Sequence, residues 1–373
     1  MAHRTNAVPD DHSGTRRFGP KHRACDRDET VAERTPVEYR GVAPGLPHRG
    51  MLLGARYILL DSIGRGASGW VWRAHDERSG RVVAVKILAP RHGRFDEVDA
   101  TRMLREAAAL TRVRHPNVIE LRTQGMSACG TPYIVMEYLD GENLRDLLAR
   151  GRVPLDEALS WGGQMLGAIA AAHHVGVLHR DIKPANVLVT REGRVKVLDF
   201  GLARLHGLGH GAESESGGWT GRLTDRGALL GTPATMSPEQ LLGEDADTRS
   251  DMYSVGCVLY HLFAGRGPVS GKATRVVYEH VYVEPIPLRE LAPAGTPQSL
   301  CDLVHACLSK DPAHRPTSRA AALEAAHWNA QSGNSLSRAT GTLRRLLGTS
   351  ERRGPDRPKS ARWLESLRRL VRH

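Results

Sequence analysis

The sequence predicts an α+β fold in which a β-rich first part is followed by a mostly helical second part. Short runs rich in β-branched and aromatic residues, separated by glycine-containing turns, begin at Tyr57. Beyond residue 136 the apolar residues instead recur mostly at helical spacing. With 373 residues, of which 40% are hydrophobic and 25% charged, the chain has a globular composition and can form one two-lobed unit or two to three smaller ones.

In the first part, residues 1–50 are rich in Arg, Asp, His, Gly and Pro without sustained periodicity, so we expect a disordered leader. Three strands that together indicate an antiparallel meander are predicted at 57–63, 69–75 and 81–88. A helix and two further strands are predicted at 98–113, 118–124 and 132–136.

In the second part, a buried helix is predicted over 155–174, because Asp156 and Glu157 suit its N-terminal dipole and Gly176 lies beyond its end. A small hairpin is predicted at 187–189 and 195–198. Residues 203–231 form a glycine-rich stretch too long to be a simple connector, which is typical of functional loops. Four more helices are predicted at 253–264, 272–282, 298–308 and 319–330.

The net charge of +11 is concentrated near the C-terminus, where residues 343–373 hold ten Lys or Arg against three acidic residues. In the tail, residues 331–373, apolar residues around Trp363 and Leu367 recur at helical spacing opposite arginines, which predicts a short basic amphipathic helix. Such a helix suits an anionic membrane, nucleic acid or the rest of this chain, and a solvated, frayed end is an equal alternative.

The five cysteines, Cys25, Cys129, Cys257, Cys301 and Cys307, are odd in number and contain no C-x-x-C pair. Free thiols in a reducing compartment fit this pattern best. A signal-peptide pattern and an apolar run of about 18 residues are both absent from the sequence. We therefore expect a cytoplasmic location.

A glycine-rich segment with phosphate-binding character lies between the first two predicted strands. Missing side chains let backbone N–H groups approach phosphate oxygens. By itself the segment also fits a ligand-free turn, whereas the strand that follows it disfavours a dinucleotide-binding motif, which opens a helix. Its residues are Ile63, Gly64, Arg65, Gly66, Ala67, Ser68 and Gly69.

Lys86 ends the run Val83-Ala84-Val85-Lys86 in a predicted strand, seventeen residues after Gly69. Apolar neighbours predict burial, and a buried lysine needs an anionic partner. Glu106 on the next predicted helix is the candidate partner. A lysine whose charged end reaches the surface is the alternative.

Two further motifs make the pattern specific. They are His179-Arg180-Asp181-Ile182-Lys183-Pro184-Ala185-Asn186 and Asp199-Phe200-Gly201. With the preceding motifs they make residues 57–328 resemble the eukaryotic-like (Hanks-type) serine/threonine protein kinase family, in its bacterial type. The resemblance implies a bilobal fold, with a β-rich N-lobe at about 57–136 and a mostly helical C-lobe at about 140–328.

The resemblance implies transfer of the ATP γ-phosphoryl group to protein Ser or Thr hydroxyls. Asp181 would accept the hydroxyl proton, and Lys183 would neutralise developing charge and favours Ser and Thr as acceptors. Lys86, held by Glu106, would bind the α- and β-phosphates. Asn186 and Asp199 would hold Mg²⁺, with Mn²⁺ as an alternative metal.

The remaining nucleotide contacts are implied by the same resemblance. Glu137 and Leu139 would form the hinge whose backbone meets the adenine. Val71, Ala84 and Leu188 would enclose the adenine ring, although core packing alone also explains apolar residues at these positions.

Regulatory and supporting residues follow from the resemblance as well. Glu239 would pair with Arg315 in a buried ion pair, and Asp251 would bond the catalytic loop. Arg180 would bind a phosphate on the activation loop. The candidate phosphosites are Thr224, then Thr220, with Thr232 as a further regulatory residue.

One position departs from the family pattern. Thr235 stands where bacterial members commonly have an aromatic residue, which leaves the shape of the peptide-binding ledge open. The implied partners are protein substrates and a second copy of the chain, through autophosphorylation. A pseudokinase scaffold is one alternative, and the intact motif residues argue against it. A nucleic-acid-binding or membrane-associating protein acting through the basic tail is another.

Overall fold

The computed structural model describes residues 46–66, 69–88, 104, 107–108, 110–127, 130–200 and 233–331. The predictions for residues 1–45, for the glycine-rich loop at 203–231 and for residues 332–373 lie outside the described residues. Within the described ranges the chain forms two lobes, a β-rich N-lobe and a mostly helical C-lobe.

The N-lobe contains a six-stranded antiparallel sheet with strand order β1-β2-β3-β4-β6-β5. Its strands are β1 (Leu52–Leu53), β2 (Tyr57–Gly66), β3 (Gly69–Asp76), β4 (Arg81–Leu88), β5 (Leu121–Met126) and β6 (Pro132–Glu137). The strands β2, β3 and β4 are the meander that the sequence predicts.

The two faces of this sheet have different roles, because side chains alternate along a strand. Val83, Val85 and Ile87 of β4 pack in the main apolar cluster of the N-lobe. Ala84 and Lys86, which also are buried, belong to the opposite face. The alternation therefore separates the residues that stabilise the sheet from those that face the rest of the molecule.

The N-lobe differs from the prediction at its ends. The sheet begins at β1, and the Gly50 N–H donates to the Leu59 carbonyl (2.8 Å), so residues before Tyr57 also join it. Strand β5 begins at Leu121 instead of Val118, because Val118 forms a parallel bridge with Val197 of the C-lobe. The described residues of the helix predicted at 98–113 are helical at positions 104, 107, 108 and 110.

The C-lobe is built around two long buried helices. Its helices are α1 (Leu144–Ala149), α2 (Leu155–His174), α3 (Pro238–Leu242), α4 (Thr248–Ala264), α5 (Ala273–Tyr282), α6 (Gln298–Cys307) and α7 (Ser318–Gln331). Helices α2 and α4 form the centre of the largest apolar cluster. Helix α4 begins five residues before the predicted start, because Asp247 and Ser250 form a capping box that satisfies its first N–H groups.

A second sheet lies in the C-lobe, with order β7-β8-β9. Its strands are β7 (Gly141–Asn143), β8 (Val187–Thr190) and β9 (Val195–Val197), and β8 and β9 form the predicted hairpin. Asn143 ends β7 and caps α1, since its side chain accepts from the Asp146 N–H (3.0 Å). Across the described ranges, no helix is both long enough and apolar enough to cross a membrane.

Candidate active site

The register of the N-lobe sheet brings the glycine-rich segment beside the predicted phosphate-binding lysine. Gly64 pairs with Val71, and Val71 pairs with Lys86 on the next strand. Gly69, which opens β3, has a φ of 132°, a conformation that glycine adopts without a steric penalty. Ile63, Arg65 and Gly66 also belong to β2, whereas Ala67 and Ser68 lie outside the described residues.

Lys86 is the buried lysine that the sequence predicts, with 3% of its side chain exposed. Its partner among the described residues is Asp199, whose Oδ2 lies 2.8 Å from the Lys86 Nζ. Burial opposes ionisation of Asp199, but the Lys86 charge and hydrogen bond outweigh it and keep the Asp199 pKa below its usual value. The predicted partner Glu106 lies outside the described residues.

Asp181 is held by two neighbours in the same loop. The Lys183 ammonium donates to the Asp181 Oδ2 (2.7 Å), and the Asn186 Nδ2 donates to the same oxygen (3.0 Å) and to the Asp181 carbonyl (2.8 Å). The Asp181 side chain keeps 28% of its surface exposed, so its carboxylate stays open to an incoming group. These contacts place the three residues in one polar cluster with a fixed carboxylate.

The backbone before Asp181 is strained and is anchored on Asp251 of α4. Arg180 has a φ of 65°, which costs a non-glycine residue roughly 1–3 kcal/mol. The Asp251 carboxylate accepts from the N–H groups of His179 (2.8 Å) and Arg180 (2.7 Å), and from the His173 ring (2.8 Å). Burial alone would raise the Asp251 pKa, but the His173 hydrogen bond and the nearby charges lower it.

His179 connects the Asp181 loop to the Asp199 loop. Its Nε2 donates to the Leu198 carbonyl (2.8 Å), while its Nδ1 accepts from the Asp181 N–H (3.3 Å). The Nδ1 can accept only when the ring is neutral, and complete burial lowers the His179 pKa accordingly. The Phe200 ring packs against His179 with the centroids 4.5 Å apart, and Asp199 has a left-handed φ of 55°.

The predicted adenine-binding residues surround the junction between the lobes. Ala84 pairs with Met136, which precedes Glu137, the last residue of β6, and Leu139 follows two residues later. Leu188 lies on β8 in the C-lobe, next to Asn143 of β7. The Glu137 carboxylate is largely buried, and its Oε1 accepts from the Lys196 ammonium (2.5 Å) and the Glu120 N–H (2.8 Å).

The predicted ion pair between Glu239 and Arg315 is present and buried. Arg315 donates to both carboxylate oxygens at 2.6 and 2.9 Å, and the Ser250 hydroxyl adds a third hydrogen bond at 2.6 Å. Burial opposes ionisation of Glu239, but these donors outweigh it, so its pKa lies below the usual value. The pair fixes the N-terminal end of α3 to the segment before α7.

The donor atoms of Asn186 and Asp199 are of the kind that a divalent metal ion would take. The Asn186 nitrogen is used by Asp181, so its amide oxygen is the atom that a hard cation would take, and Asp199 is an ionised carboxylate that is one-third exposed. Mg²⁺ prefers oxygen ligands of this kind. The candidate phosphosites Thr224 and Thr220 and the further regulatory residue Thr232 lie outside the described residues.

Three residues near the site were missed by sequence reasoning. His173 holds Asp251, Lys196 holds Glu137, and Gln240 donates from its Nε2 to the Arg180 carbonyl (3.0 Å). The sequence feature that could have identified Gln240 is its position directly after Ser237-Pro238-Glu239. His173 and Lys196 offered no signal beyond being polar residues, one in a helix predicted to be buried and the other in a predicted hairpin.

The two-lobed architecture, the ion pair of the buried Lys86 with Asp199 and the fixed Asp181 carboxylate define the class of two-lobed phosphotransferase folds. The chain belongs to the protein kinase domain family, whose model matches residues 57–328. That match confirms the family resemblance and the fold class read from the sequence.

The curated relatives include bacterial serine/threonine-protein kinases. A probable serine/threonine-protein kinase of Streptomyces coelicolor is 42% identical over 268 residues, covering 70% of this chain and 38% of the relative. The DNA damage-responsive kinase RqkA of Deinococcus radiodurans is 37% identical over 323 residues, covering 84% of this chain and 43% of the relative. PknL of Mycobacterium tuberculosis is 35% identical over 271 residues, covering 72% of this chain and 64% of the relative.

A solved structure supports the fold. The PknI kinase domain of Mycobacterium tuberculosis, crystallised as a cysteine-to-alanine mutant, matches with a TM-score of 0.56 and 26% identity, covering 78% of this chain and 100% of that chain. The chain spans about two fifths of the length of several curated relatives it matches.

Proposed function

We propose that the chain transfers the γ-phosphoryl group of ATP to serine and threonine hydroxyls of proteins. The observation that carries the proposal is the Asp181 carboxylate, fixed by Lys183 and Asn186 on a backbone anchored to Asp251. The relatives' names as serine/threonine-protein kinases support the same acceptor class.

The residues of the site have complementary tasks in this reaction. Asp181 orients the acceptor hydroxyl and takes its proton, since its carboxylate is both fixed and partly exposed. Lys183, which already contacts Asp181, neutralises negative charge that develops on the transferred group. Lys86 binds the phosphates. A Mg²⁺ or Mn²⁺ ion on Asn186 and Asp199 would supply the remaining positive charge.

The test is transfer of radiolabelled phosphate from ATP to dephosphorylated casein, with Mg²⁺ or Mn²⁺, comparing wild type with Asp181→Asn. The amide cannot accept the hydroxyl proton, so we expect the rate to fall about 100-fold or more. Asp156→Asn, which changes an exposed aspartate at the start of α2, is the matched control and should keep the wild-type rate.

Two outcomes would contradict the proposal. Equal transfer by wild type and Asp181→Asn would remove Asp181 from the chemistry. A wild-type chain that is stabilised by ATP against thermal unfolding but transfers no phosphate would instead favour a pseudokinase scaffold.

We also propose that the chain phosphorylates itself within residues 203–232, at Thr224 first and Thr220 next, through contact with a second copy. Arg180, one residue before Asp181, would bind the phosphate. Mass spectrometry of the products of the wild-type reaction maps these sites. A fully active enzyme without phosphate between residues 203 and 232 would contradict autophosphorylation.

We also propose a cytoplasmic location and a binding role for the basic tail. Cys257, Cys301 and Cys307 are buried free thiols, which supports a reducing, cytoplasmic compartment. The basic tail would add a contact with an anionic membrane or nucleic acid, which steep salt dependence of binding would reveal.

A further inference from the structure

Gln240 lies at the third position of α3, outside the residues that the proposed reaction uses. Its side chain crosses to the catalytic loop, where its Nε2 donates to the Arg180 carbonyl at 3.0 Å. Arg180 directly precedes Asp181. A hydrogen bond therefore joins α3 to the residue before the proposed base.

This bond acts on the peptide group that carries Asp181. The Arg180 carbonyl and the Asp181 N–H belong to one planar unit. Gln240 binds the carbonyl end of this unit, and the His179 Nδ1 accepts from its N–H end (3.3 Å). Since both ends are bound, the plane from which the Asp181 side chain projects has a fixed orientation.

The strained backbone increases the importance of this bond. Arg180 has a left-handed φ of 65°, a conformation that surrounding contacts must maintain. Asp251 holds the preceding N–H groups from α4, and Gln240 holds the carbonyl from α3. Two elements of the C-lobe thus hold opposite polar groups of the same short segment.

The Gln240 side chain is itself oriented by the segment before α3. Its Oε1 accepts from the Ser237 N–H and the Ser237 hydroxyl, both at 3.1 Å. Because the oxygen must face the Ser237 N–H, the nitrogen faces the Arg180 carbonyl. Residues 233–237, here called the ledge, are also fixed to α4, where the Ser254 hydroxyl donates to the Thr235 carbonyl (2.7 Å).

We propose that Gln240 is a positioning residue that couples the ledge to the Asp181 peptide group, so that the ledge and the proposed base keep one relative placement. The inference rests on the proposed kinase function, in which the ledge meets the acceptor protein. Loss of this coupling should slow phosphoryl transfer to the acceptor, because the transfer rate depends on alignment of the hydroxyl with Asp181. ATP binding does not depend on this alignment.

The test uses the full chain with dephosphorylated casein and Mg²⁺-ATP, comparing wild type, Gln240→Glu and Ser237→Ala. Gln240→Glu keeps the side-chain size and an acceptor for Ser237, but it places an oxygen against the Arg180 carbonyl. We expect kcat for casein to fall about ten-fold or more, while KM for ATP stays within two-fold of wild type. Ser237→Ala weakens the cap of α3 but keeps the donor to Arg180, so its loss should be less than about three-fold.

The readouts separate a positioning role from a structural one. Thermal unfolding with ATP present should show that the Gln240→Glu protein is folded and binds the nucleotide. If that variant does not fold, we expect the same kinetic changes in the neutral variant Gln240→Met. A casein kcat within two-fold of wild type, an equal loss in Ser237→Ala, or a matching rise in KM for ATP would overturn the role of Gln240. A wild-type chain without phosphate transfer would instead overturn the proposed function and this role with it.

Discussion

His280 on α5 is fully buried, and its environment predicts how stability depends on pH. Its Nδ1 lies 2.9 Å from the Tyr253 hydroxyl, and the Lys310 ammonium and Glu279 are nearby. Burial, reinforced by the Lys310 charge, lowers the His280 pKa to about 4. In the unfolded chain its pKa is about 6.5.

The unfolded state therefore binds a proton between about pH 6.5 and pH 4 that the folded state does not bind at His280. Stability from this residue is complete above pH 6.5 and is lost as the pH falls toward 4. From pH 7 to pH 5 we expect a contribution of about 2 kcal/mol to the loss of unfolding free energy. Between pH 7 and pH 5, the His280→Gln variant should lose about 2 kcal/mol less unfolding free energy than wild type. Urea denaturation at both pH values measures the difference.

A matched control for this prediction lies on the next helix. His305 on α6 is exposed, so His305→Gln should keep the wild-type pH dependence. If His280→Gln and wild type lost the same unfolding free energy between pH 7 and pH 5, His280 would not be the source of the effect.

At the scale of elements, Arg315 fixes the start of α3 to the segment before α7. Its side chain is fully buried, and all five of its N–H donors are used. Besides the two bonds to Glu239, it donates to the carbonyls of Ser309 (2.8 Å), Arg249 (3.1 Å) and Lys310 (3.1 Å). Because the carbonyls belong to different segments, one guanidinium holds three parts of the chain together.

Lysine cannot replace this arrangement, since it has three donors at a single nitrogen and no planar fork. We expect Arg315→Lys to lower the unfolding free energy by about 3 kcal/mol, because buried carbonyls and the Glu239 carboxylate lose partners. Urea denaturation at pH 7 measures the change. The exposed Arg289 provides the matched substitution Arg289→Lys, and equal midpoints for the two variants would contradict the argument.

At the scale of the whole molecule, the sequence predicted the parts with strong local signals. The strands β2, β3 and β4 and the helix α2 were predicted close to their observed bounds, because their apolar patterns are long. Strands β1 and β7 and helix α1 were missed, since elements of two to six residues contain too few periodic positions.

The candidate site was predictable where a motif fixes a residue and not where a partner comes from a distant segment. Asp181, Asn186 and Lys183 lie together as the motif implied. The pairing of Lys86 with Asp199 joins residues 113 positions apart, and the bond from Gln240 to Arg180 joins residues 60 positions apart. Such partners depend on the packing of both lobes, which local patterns do not encode.

The junction between the lobes depends on one further pair of this kind. Glu137 at the end of β6 accepts from the Lys196 ammonium (2.5 Å), and Lys196 belongs to β9 in the C-lobe. The Glu137 N–H and carboxylate also bond the Glu120 backbone, at 3.0 and 2.8 Å. A single carboxylate thereby joins the end of the N-lobe sheet, the chain segment before β5 and the C-lobe hairpin.

Lys196→Met removes the ammonium and leaves the Glu137 carboxylate largely buried beside one N–H. We expect the unfolding free energy to fall by roughly 2–4 kcal/mol. We also expect KM for ATP to rise about five-fold, because the backbone after Met136 is where the adenine is expected to bind and small displacements there weaken binding. Urea denaturation and casein kinetics measure the two effects, with Lys272→Met, at an exposed lysine before α5, as the matched control.

The double variant Lys196→Met with Glu137→Leu separates the effect of an unpaired Glu137 charge from the effect of losing the link between the lobes. It removes the unpaired charge, so stability should return toward wild type, since loss of both partners is better tolerated than loss of one. KM for ATP should remain high, because the link between the lobes is still missing. A single Lys196→Met variant with wild-type stability and wild-type KM would contradict the role of this pair at the junction.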